Sequence, residues 1–412
     1  MKSLLRHLTL SALLFCTLSL SATPLRSPAA EAIPHQRSTP AKRHKVVVGA
    51  AQMNKLLPLL HGKRVGVVSN ATGVIDAKGT LIADALLNHG IKVVKLFSPE
   101  HGYRGTSDAG ALIKDGKDPV SGLPVISLYG KNKKPTAGQL RGLDVLVFDL
   151  QDVGARFYTY ISTLHYVMEA AAECGIEVIV CDRPNPNDYV DGPVLNLKYR
   201  SFVGMHPIPV MHGLTVGELA LMINGEKWLA GGRQCSLTVI PVQGWRHGDP
   251  YSLPVPPSPN LRSDQAIRCY PSLCFFEATV MSVGRGTDNP FTAVGYPDTR
   301  AGKKLFTPMP NVGASAPVYK GKVCYGQSYL HVGWEGLALK PLLHFNKTMK
   351  RLGKTLVNRP ETFDLLAGSN LLRKQLQNGA TEKQIRASWQ ADLERYRALR
   401  SKYLLYPIPT HP

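Results

Sequence analysis

Residues 93–105 read Val93-Val-Lys-Leu-Phe97-Ser-Pro-Glu100-His101-Gly-Tyr-Arg104-Gly105, and they decide the fold that we expect. An apolar run ends here and is followed at once by a carboxylate, an imidazole and a guanidinium. In an open α/β sheet, ligands bind just beyond the carboxyl ends of the strands. If Val93–Phe97 is such a strand, Glu100 points toward a ligand site. The alternative is a polar connecting turn with no function of its own.

The same pattern repeats in the first half of the chain, where strand-like runs alternate with helical patterns from about residue 63 to 241. Apolar spacing between Tyr158 and Ala172 predicts one helix, and the capping box at Thr215–Glu218 begins another. A third, Thr80–Asn88, ends before Gly90. The predicted strands are Arg64–Ser69, Lys92–Phe97, Pro124–Tyr129, Asp144–Leu150, Ile176–Cys181 and Ser236–Pro241. This alternation predicts an α/β fold with a mostly parallel sheet that is covered on both faces.

A proline-rich passage, Asp249–Asn260, ends the alternation, since its four prolines in six residues exclude a helix or a central strand. We therefore expect two domains: an α/β domain over residues 46–248 and a smaller α+β domain over residues 249–412. In the second domain we predict strands at Glu277–Val283 and Leu330–Val332, and helices at Glu361–Gln377 and Glu382–Lys402.

Residues 1–22 have the pattern of a secretory signal peptide: a basic start, an apolar run from Leu8 to Leu20, and small residues near the cleavage region. The run is too short to span a bilayer as a helix, and no other segment is long and apolar enough. Phe15 argues against lipoprotein processing at Cys16. Residues 23–45 read as a flexible lead-in. We expect an exported protein, either periplasmic or secreted.

The formal net charge is +20, with the basic residues dispersed along the chain. For an exported protein this favours an anionic polymer such as the cell wall over nucleic acid, with an ordinary solvated surface as the alternative. The six cysteines after residue 22 permit disulfides in 15 pairings, or are simply buried apolar residues. No Cys-x-x-Cys pair and no His-Glu-x-x-His motif occurs, so we expect no metal site.

Polar and ionisable residues follow every predicted strand of the first domain. They include Asn70, Glu100, His101, Arg104, Tyr129, Asp149, Asp152, Arg156, Tyr158, Asp182 and Arg183. Asp149 and Asp182 lie where apolar strand residues would be expected, which makes them candidates for the site. Alternatively, they have a structural role, either capping the segment that follows or pairing with Arg156 and Arg183. The chain has no dinucleotide fingerprint, no P-loop and no nucleophile elbow, so we expect no cofactor. Clustered carboxylates beside Tyr, Asn and Arg favour glycoside chemistry.

Several long motifs resemble the NamZ/YbbC family over residues 47 to 407. They are Gly66–Gly73, Ser98–Gly102, Asp149–Tyr160, Asp182–Asn187, Pro257–Asn260, Glu277–Thr287 and Lys402–Tyr406. The resemblance implies a Rossmann-like domain and a smaller barrel-like domain with the site in the cleft between them. It also implies an exo-acting β-N-acetylmuramidase that releases N-acetylmuramic acid (MurNAc) from the non-reducing ends of peptidoglycan fragments such as MurNAc-GlcNAc.

The resemblance also implies roles for individual residues. The catalytic Glu of the family falls on Glu100, which we expect to act as general acid/base, to be partly desolvated and to lie near a second acid, Asp152 or Glu277. We expect a lactyl carboxylate to be bound by an arginine. The expected substrate-binding residues are Asn70 and Asn260 for hydroxyl or acetamido groups, His101, Tyr158, and the candidate carboxylate ligands Arg104, Arg156 and Arg285.

One departure from the family pattern leaves a rival reading open. Glu277 is followed by Ala278-Thr-Val-Met281, where the family pattern would have Gly-Thr-Asn. The missing Asn side chain removes a possible substrate contact and favours an exported protein that binds muropeptides or sugars without cleaving them. A different cell-wall hydrolase, such as an esterase or amidase, is a third reading, but the chain has no nucleophile motif for it.

Overall fold

The structure is a computed structural model that describes residues 45–100, 102–104 and 115–408. The predicted signal peptide, Cys16, nearly all of the predicted lead-in, and His101 lie outside the described residues. Among the described residues, no helix is both long enough and apolar enough to cross a membrane. The six cysteines of these ranges are free thiols, and all except Cys174 are buried.

Twelve strands occur in the described part of the chain. They are β1 (Val65–Ser69), β2 (Val93–Ser98), β3 (Gly116–Lys117), β4 (Pro124–Ser127), β5 (Val145–Asp149), β6 (Glu177–Cys181), β7 (Val190–Val194), β8 (Pro209–His212), β9 (Leu237–Ile240), β10 (Ala293–Tyr296), β11 (Lys304–Phe306) and β12 (Cys324–Ser328).

The α-helices of the same ranges follow in chain order. They are α1 (Met53–Leu60), α2 (Ile82–Asn88), α3 (Ala137–Leu140), α4 (Tyr160–Cys174), α5 (Val216–Gly225), α6 (Asp264–Leu273), α7 (Lys340–Arg351), α8 (Pro360–Ala367), α9 (Leu371–Gln377), α10 (Glu382–Ala387) and α11 (Gln390–Arg400).

The central sheet has the strand order β3-β4-β2-β1-β5-β6-β9, and every strand except β3 runs parallel to its neighbours. When β3 is left out and the six parallel strands are numbered 1 to 6 along the chain, their order across the sheet is 3-2-1-4-5-6. This is the strand order of doubly wound dinucleotide-binding folds. The order reverses between β1 and β5. The predicted α/β class with a mostly parallel sheet is confirmed.

The central strands read as continuous apolar runs because both faces of the sheet are covered. Every residue of β1 and of β5 is buried. Val145 and Val147 pack into one core cluster, while Leu146 and Phe148 pack into another. This alternation follows from the two-residue period of a strand, and it places one hydrophobic core on each face of the sheet.

After the proline-rich passage the architecture changes to a small antiparallel sheet, β10-β12-β11, with helices α6 to α11. Two strand predictions are wrong here. Cys274–Ala278 forms a 3₁₀ helix, followed by isolated bridges, and the strand predicted at Leu330–Val332 lies instead at Cys324–Ser328. The Thr279 amide and hydroxyl both donate to the Phe276 carbonyl, at 3.0 and 2.7 Å, and so close a turn where the first strand was predicted to begin. The domain boundary at residue 249 stays a prediction.

Candidate active site

Glu100 and Tyr129 meet at the carboxyl edge of the sheet. Ser98 of β2 is paired with Ser127 of β4, so the residues two positions beyond each, Glu100 and Tyr129, leave the sheet side by side. The Tyr129 hydroxyl donates a hydrogen bond of 3.0 Å to Glu100 Oε1. Burial and the negative charge of Glu100 raise the pKa of Tyr129 to about 12, so its phenol stays protonated as a donor.

Two adjoining pockets share Glu100 and Arg285 in their walls. The first, which we call the inner pocket, is mainly aromatic; its other walls are Phe157, Tyr158, Thr159, Tyr160, Ser258, Leu261, Tyr270 and Phe291. The second, the outer pocket, has a volume of about 410 Å³, within the usual range for small-molecule sites. Its other walls are Glu277, Met281, Ser282, Val283, Arg359 and the segment 313–318.

Two tyrosines tie the inner pocket to the proline-rich passage. The Tyr158 hydroxyl donates to the Pro257 carbonyl at 2.7 Å, and Tyr160 lies 3.4 Å from both that carbonyl and the Glu100 carbonyl. Burial raises the pKa of both phenols, so they remain donors. The buried Asn70 amide donates to the Tyr160 hydroxyl at 2.7 Å. Asn70 therefore positions a tyrosine of the pocket and is not itself part of either pocket wall.

Arg285 and Glu277 form an ion pair in the outer pocket. Arg285 Nε donates to Glu277 Oε1 at 2.6 Å, and the guanidinium lies 5.0 Å from the centre of the Phe291 ring. Burial lowers the pKa of Arg285, but the adjacent Glu277 carboxylate more than offsets this effect and the net pKa is raised. Arg285 is thus a permanent cation whose charge is already matched by an acid of the protein.

Two of the predicted carboxylate ligands are engaged elsewhere. Arg104 binds Asp118 and Asp84 at 2.6 and 3.1 Å. Arg156 is fully buried and donates to the carbonyls of Pro193, Ile208 and Leu366, each at 2.8 Å. Neither guanidinium lines the inner or the outer pocket.

Two other predicted residues lie behind the pocket walls. Asp152 is buried, accepts a hydrogen bond of 2.7 Å from the Gly154 amide, and lies 3.3 Å from His212 Nε2. Asn260 is buried, and its amide donates to the Gly313 carbonyl at 2.7 Å. Because Gly313 lines the outer pocket, Asn260 holds that wall in place from the inside.

Asp149 and Asp182 have the structural roles that were their alternative reading. Asp149 makes a bidentate, buried pair with Arg183 at 2.6 and 2.9 Å. Asp182 accepts hydrogen bonds of 2.7 Å from the Thr215 hydroxyl and from the Gly217 amide in the first turn of α5. Burial raises the pKa of Asp182 to about 6.

Four residues at or next to the pockets were not expected as site residues: Tyr129, Tyr270, Phe291 and Arg359. Tyr129 carried a usable signal, because it ends a predicted strand that lies next to the strand of Glu100. The sequence around Arg359 gave no sign of a role in the site, since this residue lies far from the other site residues along the chain and outside any motif. Among the described residues, no group of three or more His, Cys, Asp or Glu side chains is placed to hold a metal ion.

Comparisons with known proteins agree with this architecture. Residues 65–265 match the family model described as "Exo-beta-N-acetylmuramidase NamZ, N-terminal", and residues 268–406 match its C-terminal counterpart. The peptidoglycan beta-N-acetylmuramidase NamZ of Bacillus subtilis (strain 168) is 38% identical over 402 residues, which cover 92% of this chain and 95% of that protein.

Two solved structures of DUF1343 family proteins from Bacteroides fragilis NCTC 9343 are also similar. They have TM-scores of 0.81 and 0.77 and identities of 40% and 32%, and each match covers 89% of this chain and all of the other.

Proposed function

The chain belongs to the NamZ family of exo-β-N-acetylmuramidases, and from that premise we propose that it releases MurNAc from the non-reducing ends of peptidoglycan fragments. One observation carries the assignment of the site. Glu100 lies half-buried at the carboxyl edge of the sheet, is hydrogen-bonded by Tyr129, and lines both adjoining pockets. That is where a doubly wound fold binds its ligand.

In the proposed reaction, Glu100 transfers its proton to the glycosidic oxygen as the bond from this oxygen to C1 of MurNAc breaks. A water molecule then supplies the hydroxyl group at C1, and its proton returns to the carboxylate. We propose Glu277 as the second carboxyl group, because it lines the outer pocket with Glu100, whereas Asp152 lines neither pocket.

The test is incubation with MurNAc-β-1,4-GlcNAc, with the products followed by mass spectrometry. Wild type is compared with Glu100→Gln and with Glu335→Gln, a matched change at an exposed acid that lines neither pocket. We expect free MurNAc from wild type and from Glu335→Gln but not from Glu100→Gln. Full turnover by a folded Glu100→Gln protein would contradict the role of Glu100. A folded wild type that binds the disaccharide without cleaving it would favour the sugar-binding reading.

We also propose that residues 1–22 direct export to the periplasm or the medium. The basic start and short apolar run support this assignment. Expression of the full chain and sequencing of its mature N-terminus provide the test. A new N-terminus near residue 23 is expected, and an intact Met1 would contradict export by cleavage.

We further propose that the part after the proline-rich passage is the barrel-like domain of the family. The antiparallel sheet β10-β12-β11 supports this proposal. An experimental structure in which this sheet stays open and flat would contradict it.

A further inference from the structure

A substrate that carries a lactyl carboxylate requires a cation in the site, and the three arginines expected for it do not supply one. Arg104 and Arg156 line neither pocket, and the charge of Arg285 is matched by Glu277 at 2.6 Å. A carboxylate that displaced Glu277 from Arg285 would leave that acid without its cation. The outer pocket therefore needs a different cation for an anionic sugar.

Arg359 is a further cation in the wall of the outer pocket. Its side chain is exposed and has no ion pair or side-chain hydrogen bond to any residue in the part of the chain that the structure describes. Glu100 and Glu277 are the acids in the described wall of the outer pocket, and Arg285 is already paired with Glu277. Of the two arginines in that wall, Arg359 is the one whose charge is left for a ligand.

Backbone hydrogen bonds fix Arg359 next to the segment that follows Glu277. Its amide donates to the Ala278 carbonyl at 3.2 Å, and the Val280 amide donates to the Leu356 carbonyl at 3.0 Å. Residues 356–359 thus run alongside the segment that follows Glu277. Arg359 also directly precedes α8, which is anchored by the fully buried Phe363. A fixed backbone reduces the number of conformations that the side chain loses when it binds an anion.

We propose that Arg359 binds the lactyl carboxylate of MurNAc and so makes the enzyme select muramyl over plain glucosaminyl residues. The proposal rests on the proposed function. A guanidinium offers two parallel N–H donors that match the two oxygens of a carboxylate, which a single ammonium group does not reproduce. Arg359 is a specificity residue in this assignment, since it contacts the substituent on the sugar and not the bond that is cleaved.

The test compares an aryl β-N-acetylmuraminide with its lactyl methyl ester, which has nearly the same shape but no charge. For wild type we expect kcat/KM to be about 10- to 100-fold higher for the acid than for the ester. Arg359→Gln should lose this preference mainly through a higher KM, and Arg359→Lys should restore part of it. Arg268→Gln, at an exposed arginine that lines neither pocket, is the matched control and should keep it.

A second readout separates this proposal from the proposed function. Binding of free MurNAc and of its methyl ester is measured by calorimetry, with no need for turnover. Absence of cleavage combined with an Arg359-dependent preference for the acid would refute the muramidase activity and keep the carboxylate site. An acid-to-ester ratio that is the same in wild type and Arg359→Gln, in either assay, would overturn the assignment of Arg359.

Discussion

The hydrogen bond between Tyr129 and Glu100 joins the ends of two neighbouring strands and fixes one oxygen of the proposed catalytic carboxyl group at 3.0 Å. The Tyr160 hydroxyl contacts the same residue through its backbone, 3.4 Å from the Glu100 carbonyl. Tyr129 is thus a positioning residue. Its contribution is the orientation of a group that must point at the glycosidic oxygen.

We expect Tyr129→Phe to lower kcat about tenfold with little change in KM, because the phenyl ring still fills its place while Glu100 Oε1 loses the hydrogen bond from the phenol. Steady-state kinetics on the disaccharide provide the measurement. Tyr189→Phe is the control, since Tyr189 is 36% exposed and its hydroxyl has no hydrogen bond to any described residue. An unchanged kcat in Tyr129→Phe would show that Glu100 needs no such support.

Individual site residues could be predicted from the sequence where an ionisable side chain directly follows a predicted strand. Glu100 lies in the pocket walls because it follows the end of β2 by two residues, and Tyr129 ends the next strand predicted along the chain. The family resemblance made Arg156 a candidate carboxylate ligand, but a sequence motif does not reveal that this side chain is fully buried. Arg359 was beyond prediction, because it reaches the pocket only through the packing of residues 356–359 against residues 278–280.

The capping boxes at the start of α5 and of α10 lie in different surroundings, one buried and one exposed, so their contributions to stability can be compared. In α5, the Thr215 hydroxyl accepts from the Glu218 amide and also donates to the buried Asp182 carboxylate at 2.7 Å. In α10, Thr381 caps through the Gln384 amide in an exposed position. The first box holds α5 to the carboxyl end of β6, and the second serves only its own helix.

We expect Thr215→Ala to lower the free energy of unfolding by about 2 kcal/mol or more, because a cap is lost and a buried carboxylate loses a donor. Thr381→Ala, the matched change, should cost about 1 kcal/mol or less. Urea denaturation followed by circular dichroism measures both. Equal losses would mean that the bond to Asp182 contributes nothing to stability.

The strands that could be predicted are those buried on both faces of the sheet, because such strands appear in the sequence as continuous apolar runs. The parallel strands β1, β2, β5 and β6 agree with apolar runs, and α4 ends just before Gly175, whose φ is 68°. The late helix predicted over Glu361–Gln377 is broken into two at Gly368, whose φ is 79°. The two wrong strand predictions lie after residue 270, where short apolar runs pack on all sides and have no clear period. The short strands β3, β7 and β8 were not predicted.

A buried cluster of charged residues joins the C-terminal segment, residues 400–406, to the first half of the chain. Arg400 donates to the Gly213 carbonyl at 2.7 Å, and the Leu405 amide donates to Glu218 at 2.8 Å. His247 lies at the centre, 2.9 Å from both the Glu218 and the Asp188 carboxylates. The contacts between Tyr406, Asp182 and the Val242 amide extend the cluster.

Protonation of His247 therefore couples the stability of the fold to pH. Burial lowers the pKa of this imidazole, but the two carboxylates outweigh burial and the nearby Arg400, and they raise it to about 9. The unfolded value is about 6.5. Because the folded pKa is the higher one, the stabilisation is complete below about pH 6.5 and is lost as the pH rises to about 9. The amount at stake is on the order of 2–3 kcal/mol.

We expect the Tm of wild type to fall by several degrees between pH 6.5 and pH 9.5, as measured by calorimetry at constant ionic strength. His247→Gln, which cannot carry the charge, should be less stable than wild type at pH 6.5 and should show a flatter dependence on pH. His331→Gln, at an exposed histidine, should follow wild type throughout. If His247→Gln keeps the wild-type slope, the charge of His247 does not hold the C-terminal end in place, and the hydrogen bonds of the Arg400 guanidinium and the Leu405 amide must do so.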